Sequence, residues 1–137
     1  MKTETIEKIL NFLKEKEGQA FPNHWNIIER LETHPDDVQF RYEGMLDLMN
    51  TNIKKLPNDL YVDGNLYLNN STIKKLPNKL HVEGNLVLSD TSISELPDEL
   101  YVAWNVFIDN TPLDKYPYDQ IYEMFNSKGR VVRGKIF

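Results

Sequence analysis

The chain has no cysteine and no long apolar run, and these two absences exclude several classes of protein. Without cysteine among its 137 residues it can form no disulfide, no thiolate zinc site and no cysteine nucleophile. No stretch of 18 apolar residues exists, which excludes a membrane-spanning helix. Residues 1–18 carry charge throughout and lack a small-residue cleavage site, so they do not read as a signal peptide. We therefore expect a soluble, cytoplasmic protein that does not bind membranes.

Positive charge is scarce, and the net charge is −5. Only the last twenty residues hold more bases than acids, with Lys128, Arg130, Arg133 and Lys135 against Asp119 and Glu123. Binding to nucleic acid normally needs a clustered basic face that releases counterions from phosphates. Four cations at one end of an acidic chain are more typical of a solvated strand edge, so the sequence argues against nucleic acid as a partner.

A repeat of 20 residues governs the middle of the chain. Segments 53–72, 73–92 and 93–112 align without gaps, with a partial copy before them at 44–52 and a shorter one after them at 113–117. Each copy has too few apolar residues for a core of its own, so its apolar side must pack on its neighbours, as in a solenoid. The main apolar columns are Leu46/Leu66/Leu86/Val106, Leu48/Leu68/Leu88/Ile108, Ile53/Ile73/Ile93/Leu113, Leu56/Leu76/Leu96/Tyr116, Leu60/Leu80/Leu100 and Val62/Val82/Val102.

Each copy contains two short segments of alternating apolar and polar residues, 60–62 and 65–69 in the first copy, which predict two strands. The Asp-Gly pair at 63–64 lies between them and is a strong hairpin signal. A hairpin meander, however, gives no reason for a fixed period of 20. We therefore predict stacked parallel coils in which 63–64 and 83–84 form corners.

A column of short hydroxyl side chains follows the second strand of each copy: Thr51, Ser71, Thr91 and Thr111. A hydroxyl at this point can hydrogen-bond to backbone groups of its own turn and of the adjacent turn. We expect this column to satisfy backbone groups where the chain leaves the strand.

The run Leu66-x-Leu68-x-x-Ser71-x-Ile73-x-x-Leu76-Pro77 resembles a leucine-rich repeat of the short bacterial type, in which each turn ends in Leu-Pro. The resemblance covers residues 44–117, with the hydroxyl column in place of the usual asparagine ladder. Similar repeats between a helical N-terminus and a closing helix and strand occur in proteins of bacteriophages and bacteria. The resemblance implies a curved, non-enzymatic binding scaffold; its phage-like character points to an inhibitor or modulator of a host protein, including host defence proteins.

We predict one α+β repeat domain over 1–137, with a helical cap at 1–43, the repeats at 44–117 and a closing helix and strand at 118–137. The N-terminal cap comprises an amphipathic helix over 3–16 and a second helix over 23–32. The second helix is expected to bury Trp25, Ile28 and Leu31.

The sequences beside the repeats predict further elements. Val38, Phe40 and Tyr42 alternate and predict the first strand. A helix is predicted over 118–127, with Ile121, Met124 and Phe125 facing inward, and a strand over 130–137 is predicted to form the last rung.

Candidate binding residues are the side chains that point outward along the strands, which in the resembling family line the concave side. Exposed tyrosines in rows are favoured interface anchors, although strands also prefer aromatic residues for purely structural reasons. The outward columns are Asp47/Tyr67/Val87/Phe107, Met49/Asn69/Ser89/Asp109 and Arg41/Tyr61/His81/Tyr101. From these columns and one exceptional residue we select Tyr61, Tyr67, His81, Val87, Tyr101, Trp104, Phe107 and Asp109 as candidate contacts with a protein partner.

Trp104 is the exceptional residue, because it stands where Gly44, Gly64 and Gly84 stand in the other copies, and Ala103 beside it replaces an acid. Either this corner changes conformation to pack against the C-terminal helix, or the indole is an exposed binding residue. We favour the packing role.

No catalytic, metal or cofactor site is predicted. His24, His34 and His81 lack the spacing of metal ligands, and no phosphate-binding glycine loop or nucleophile elbow is present. His81 and Glu83 have the residue types of an acid–base pair, but a stack of three coils is not expected to form the deep cleft of an active site. The favoured function is a protein-binding scaffold, monomeric or weakly self-associating; the alternative is an assembly protein that associates through open strand edges.

Overall fold

The computed structural model describes residues 23–137, and their side chains from residue 27 onward. The predicted helix over 3–16 and the predicted burial of Trp25 lie outside this part. The described chain begins with helix α1 (Asn23–Thr33), close to the predicted span. Ile27 and Leu31 of α1 are buried and Ile28 is half-buried, so the helix packs an apolar side onto the first coil.

Nine strands in the described residues form two parallel sheets. Sheet 1 contains β1 (Phe40–Glu43), β3 (Leu60–Asp63), β5 (Leu80–Val82), β7 (Glu99–Val102) and β9 (Gly129–Val132). Sheet 2 contains β2 (Leu46–Asp47), β4 (Leu66–Tyr67), β6 (Leu86–Val87) and β8 (Val106–Phe107). Successive turns of the chain, here called coils, each contribute one strand to each sheet.

The pairing confirms the predicted solenoid of period 20. Tyr61 pairs with His81 in sheet 1 and Leu66 pairs with Leu86 in sheet 2, both in parallel register. The hairpin alternative is therefore wrong: residues 63–64 and 83–84 are corners at which the chain passes from sheet 1 to sheet 2. Strand β1 begins at Phe40. Val38, which the sequence predicts to belong to it, lies outside the strand and is 51% exposed.

The core is the stack of predicted apolar columns. Its central leucines, Leu66, Leu68, Leu86 and Leu88, are fully buried. Burial is lower only in the last two positions of the proline-associated column, where Leu96 and Tyr116 are half-buried. Each coil thus buries its apolar side against its neighbours rather than against itself.

The corners at Gly64 and Gly84 leave no room for a side chain. A Cβ built on Gly64 would lie 2.6 Å from the carbonyl carbon of Gly44, and one on Gly84 would lie 2.8 Å from that of Gly64. Backbone therefore rests directly on backbone at this point. Glycine is required here for close approach of successive coils.

Asparagine side chains connect successive coils, although the sequence was expected to use hydroxyls in place of an asparagine ladder. The backbone N–H of Asn85 donates to Asn65 Oδ1 at 2.7 Å, and that of Asn105 donates to Asn85 Oδ1 at 2.9 Å. Lys135 N–H continues the series to Asn105 Oδ1 at 2.8 Å. A second ladder runs along the opposite turn, where Asn78 N–H donates to Asn58 Oδ1 at 3.1 Å.

The hydroxyl column acts within each coil. Thr91 Oγ1 donates to Leu88 O at 2.7 Å, and Thr51 and Thr111 make the equivalent bonds. The expected bonds from this column to the adjacent coil are not found among the described residues, and Ser71 Oγ is buried there without a partner. The column therefore closes the turn of its own coil, whereas the asparagine side chains bond to the next coil.

The C-terminal segment forms one more coil after an inserted 3₁₀ turn and helix. A 3₁₀ turn (Pro112–Lys115) and helix α2 (Tyr118–Phe125) precede β9, and the chain then returns to sheet 2, where Ile136 bridges to Val106. The predicted strand over 130–137 is thus two segments, separated by a corner at Gly134.

Helix α2 is two residues shorter than predicted and packs on the last coil. Ile121 and Phe125 are buried as expected, and Met124 is half-buried. The helix and the loop after it close this end of the apolar core.

We expect Leu88→Ala to lower the free energy of unfolding by about 2–5 kcal/mol, because it leaves a cavity between two coils. Urea denaturation followed by circular dichroism measures the change. Lys75→Ala, at an exposed position of the same repeat, should change stability by less than about 0.5 kcal/mol. Equal effects of the two substitutions would contradict the stacked core.

Asn85→Ala should cost about 1–3 kcal/mol, because it removes the acceptor of the Asn105 N–H and leaves that donor without a partner. The matched control is Asn52→Ala, an exposed asparagine two coils earlier. Thermal unfolding of the two variants should separate them; an unchanged melting temperature for Asn85→Ala would show that the ladder does not hold the coils together.

Candidate interaction surface

Three candidate residues of sheet 1 form one column on its outer face. Tyr61, His81 and Tyr101 lie in register, and all three are half-buried. Their rings stack, with centroids 4.3 Å apart for Tyr61 and His81 and 4.5 Å apart for His81 and Tyr101. The Arg41 guanidinium carbon lies 4.4 Å from the Tyr61 ring centroid and continues the stack. We call Tyr61, His81 and Tyr101 the aromatic column.

The carboxylate of Glu83 hydrogen-bonds to two members of the aromatic column. Glu83 Oε1 accepts hydrogen bonds from His81 Nε2 at 2.6 Å and from the Tyr61 hydroxyl at 3.0 Å. The bond from His81, and then that from Tyr61, holds the pKa of Glu83 below its ordinary value, while the bond to Glu83 raises the pKa of Tyr61. The three side chains therefore restrain one another.

Arg41 has carboxylate partners as well as the ring. Its Nε lies 2.9 Å from Glu43 Oε1, and its Nη2 lies 3.9 Å from Asp63 Oδ2. The bond to Glu43 raises the pKa of Arg41 and lowers that of Glu43. These groups are solvent-exposed, so the pairs orient the guanidinium over Tyr61 rather than adding much stability.

The sheet 2 candidates form a second column on its outer face, here called the sheet 2 column. Tyr67, Val87 and Phe107 are in register and half-buried. Phe137 extends the column, with its ring centroid 5.1 Å from that of Phe107 and the two rings nearly parallel. Phe137 is 56% exposed and was not selected from the sequence. Alignment of residues 131–137 with 101–107, after a longer spacer, would have identified it.

Asp109 lies two residues after Phe107, in the column that neighbours the sheet 2 column. It is exposed and accepts a hydrogen bond from the Ser89 hydroxyl. Asp109 also lines a groove of about 450 Å³ beside Phe137 and Tyr118. Its side chain is thus accessible, but it is separated from the aromatic column of sheet 1.

Trp104 does not take the packing role that the sequence favours. Its side chain is 61% exposed, and its backbone continues the corner, with its N–H donating to Gly84 O at 3.3 Å and its carbonyl accepting from Gly134 N–H at 2.9 Å. The C-terminal helix packs elsewhere, on β9. The expected packing is wrong because the coil keeps its path through the corner and directs the indole to solvent.

No group of three or more His, Asp or Glu side chains within residues 23–137 is arranged to hold a metal ion. Likewise, no helix in that part of the chain is long and apolar enough to cross a membrane. The His81–Glu83 pair considered as an acid–base site is bonded to Tyr61 and covered on both ring faces by tyrosines. This arrangement favours a structural role for the pair.

Comparison of the chain with protein-family models, with curated proteins and with solved structures gives no significant match. The geometry of the two columns and of the corner at Trp104 is therefore the basis for assigning a function.

We expect the stabilising effect of Glu83 to depend on pH. Its pKa in the folded protein lies below the ordinary value of 4.5, so its contribution is complete above that pH and is lost as the pH falls through the folded pKa. Glu83→Gln should therefore lower the melting temperature at pH 7 and have a diminishing effect towards pH 3. Thermal unfolding at several pH values measures this, with exposed Glu95→Gln as the control. A difference from wild type that stays constant between pH 7 and 3 would contradict the assigned bonds.

Proposed function

We propose that the protein is a non-enzymatic protein-binding scaffold whose partner contacts the outer faces of the two sheets. The observation that carries the proposal is the continuous sheet 2 column, in which Tyr67, Val87, Phe107 and Phe137 keep apolar surface in contact with solvent. The core does not need these side chains, because the inward leucines already fill it. Rigid aromatic rings on a fixed scaffold contribute contact area at little entropic cost.

The size of the surface supports the use of both sheets. Five stacked strands at about 4.8 Å spacing give a face only ~20 Å high. A stable interface typically buries about 800 Å² on each partner. The sheet 2 column alone is too small, so the aromatic column and Trp104 must contribute to the contact.

An assembly role through open strand edges has less support. At the sheet 1 edge formed by β9, Arg130 N–H donates to Ser127 O at 3.1 Å and Val132 N–H donates to Asn126 Oδ1 at 2.9 Å. Two donors on this terminal strand are thus satisfied by the loop after α2. Such protection reduces the tendency of an edge to pair with another strand.

The identity of the partner rests on the family resemblance. The short bacterial and phage repeats that this chain resembles suggest a host protein, including a defence protein, as the target of an inhibitor or modulator. We propose the cytoplasm as the site of action, that of the host if the chain is encoded by a phage.

Tyr67→Ala and Phe107→Ala should each weaken partner binding by 10-fold or more, which corresponds to about 1.4 kcal/mol. Each substitution removes a partly exposed aromatic side chain that is expected to contact the partner. The melting temperature should therefore remain close to that of wild type. Affinity capture from a host extract identifies the partner, and calorimetry with the purified partner then measures the dissociation constants.

The controls are Lys54→Ala and Lys74→Ala, which change exposed side chains away from both columns. These variants should bind like wild type. If the alanine variants at Tyr67 and Phe107 instead unfold the protein without a separate effect on binding, these rings belong to the core and the proposed surface is wrong.

A further inference from the structure

Trp104 occupies a corner position at which the other described coils have glycine. The equivalent positions in the other coils are Gly44, Gly64, Gly84 and Gly134. A Cβ on Gly84 would lie 2.8 Å from the Gly64 carbonyl carbon, and one on Gly134 would lie 2.4 Å from Trp104 O. Trp104 nevertheless keeps the backbone contact of the corner, since its N–H reaches Gly84 O at 3.3 Å, while Ala103 N–H reaches Val82 O at 2.9 Å.

The Trp104 indole lies mostly in solvent rather than in the core. With 61% of its surface exposed, Trp104 is the most exposed large apolar side chain among the described residues. Tryptophan is also the residue most enriched among those that dominate binding energy at protein interfaces. A large side chain that replaces a corner glycine and remains in water is better explained by a partner than by folding.

The charge of the surface changes sign at the same coil. One outward position at the end of the sheet 1 strands is occupied, in successive coils, by Glu43, Asp63, Glu83, Ala103 and Arg133. The acids of the first three coils are thus replaced beside Trp104 by a neutral residue, and in the next coil by a cation.

A second cation lies on the other side of Gly134, in the same coil. Arg133 and Lys135 flank Gly134, whose N–H donates to Trp104 O at 2.9 Å, so both cations lie on the coil that stacks directly on the tryptophan. Both side chains are exposed, and within the described residues neither forms an ion pair. The Arg130 side chain, in contrast, donates hydrogen bonds to Pro97 O and Met124 O and therefore has a structural role.

We propose that Trp104, Arg133 and Lys135 form a docking site for an acidic segment of a partner protein that carries an apolar anchor. The inference rests on the proposed protein-binding function and adds the chemistry of the partner. The indole supplies an apolar contact for the anchor, and the two cations on the adjacent coil supply charges that attract carboxylates. Charge complementarity of this kind speeds association and rejects basic partners.

The test uses a random 12-residue peptide display library as the probe and the full chain as the target. Selected sequences should be rich in Asp and Glu around an apolar residue. Their affinity, measured by calorimetry with synthetic peptides, should fall at least 10-fold in Trp104→Gly and in the double variant Arg133→Glu/Lys135→Glu. It should also fall as salt rises from 50 to about 300 mM, because the flanking charges are exposed.

The controls separate a local effect from a general one. Trp104→Gly restores the residue found at every other corner, so it should fold with a melting temperature no lower than wild type. Tyr122→Ala removes another exposed aromatic, on the helix surface, and Lys54→Glu/Lys74→Glu makes the same change of charge away from the corner. Both controls should bind the selected peptides as wild type does.

Several results would overturn the docking site. Selected peptides that are basic or uncharged, or that bind Trp104→Gly as well as wild type, contradict it while leaving a scaffold that binds through its sheet faces. Binding of duplex DNA that is lost in the double charge variant contradicts it in favour of nucleic acid, and self-association lost in Trp104→Gly contradicts it in favour of a second copy. Recovery of no peptide at all contradicts the docking site alone, because the scaffold function is tested separately by partner capture and the Tyr67 and Phe107 variants.

Discussion

Backbone-on-backbone contact at the corners is the constraint on which the rest of this molecule depends. Where Gly64 and Gly84 lie on the coil before them, there is no space for a Cβ. The asparagine ladder beside the corner, in which Asn85 N–H donates to Asn65 Oδ1, bonds each coil to the next at the same point. Together they hold residue i against residue i+20, so that neither sheet can slip by one residue and reverse its buried and exposed faces.

Once this register holds, the exterior follows from it. Every outward side chain lies beside its equivalents, so aromatic residues stack into a column and charges accumulate or alternate along the solenoid. The Tyr61–His81–Tyr101 stack is one consequence, and its ring spacing of 4.3–4.5 Å approaches the spacing of the strands themselves. A departure from the repeat then changes the surface locally without changing the core. At Trp104, for example, an exposed indole appears where the charge of the surface changes sign.

The repeat made most of the fold predictable from the sequence. The inward columns, the two strands per coil, the corners at 63–64 and 83–84 and the helix beginning at Tyr118 all follow from periodicity. The asparagine ladders did not, because Asn65 reads as an ordinary polar residue until the neighbouring N–H is seen. The Trp104 side chain was misplaced because a bulky apolar residue normally packs, whereas here the unchanged path of the coil leaves no cavity for it. Phe137 was missed because α2 interrupts the period before the last coil.

The central claim is that the outer columns of a rigid parallel stack, together with the corner at Trp104, form the binding surface. Chemical-shift mapping of the ¹⁵N-labelled full chain with its captured partner or a selected acidic peptide tests it most directly. The account predicts perturbations at the Trp104 indole N–H and at amides of the aromatic and sheet 2 columns, with little change along the turn that carries Asn58 and Asn78. Perturbations centred on that turn or on α1, with the Trp104 signal unmoved, would contradict it.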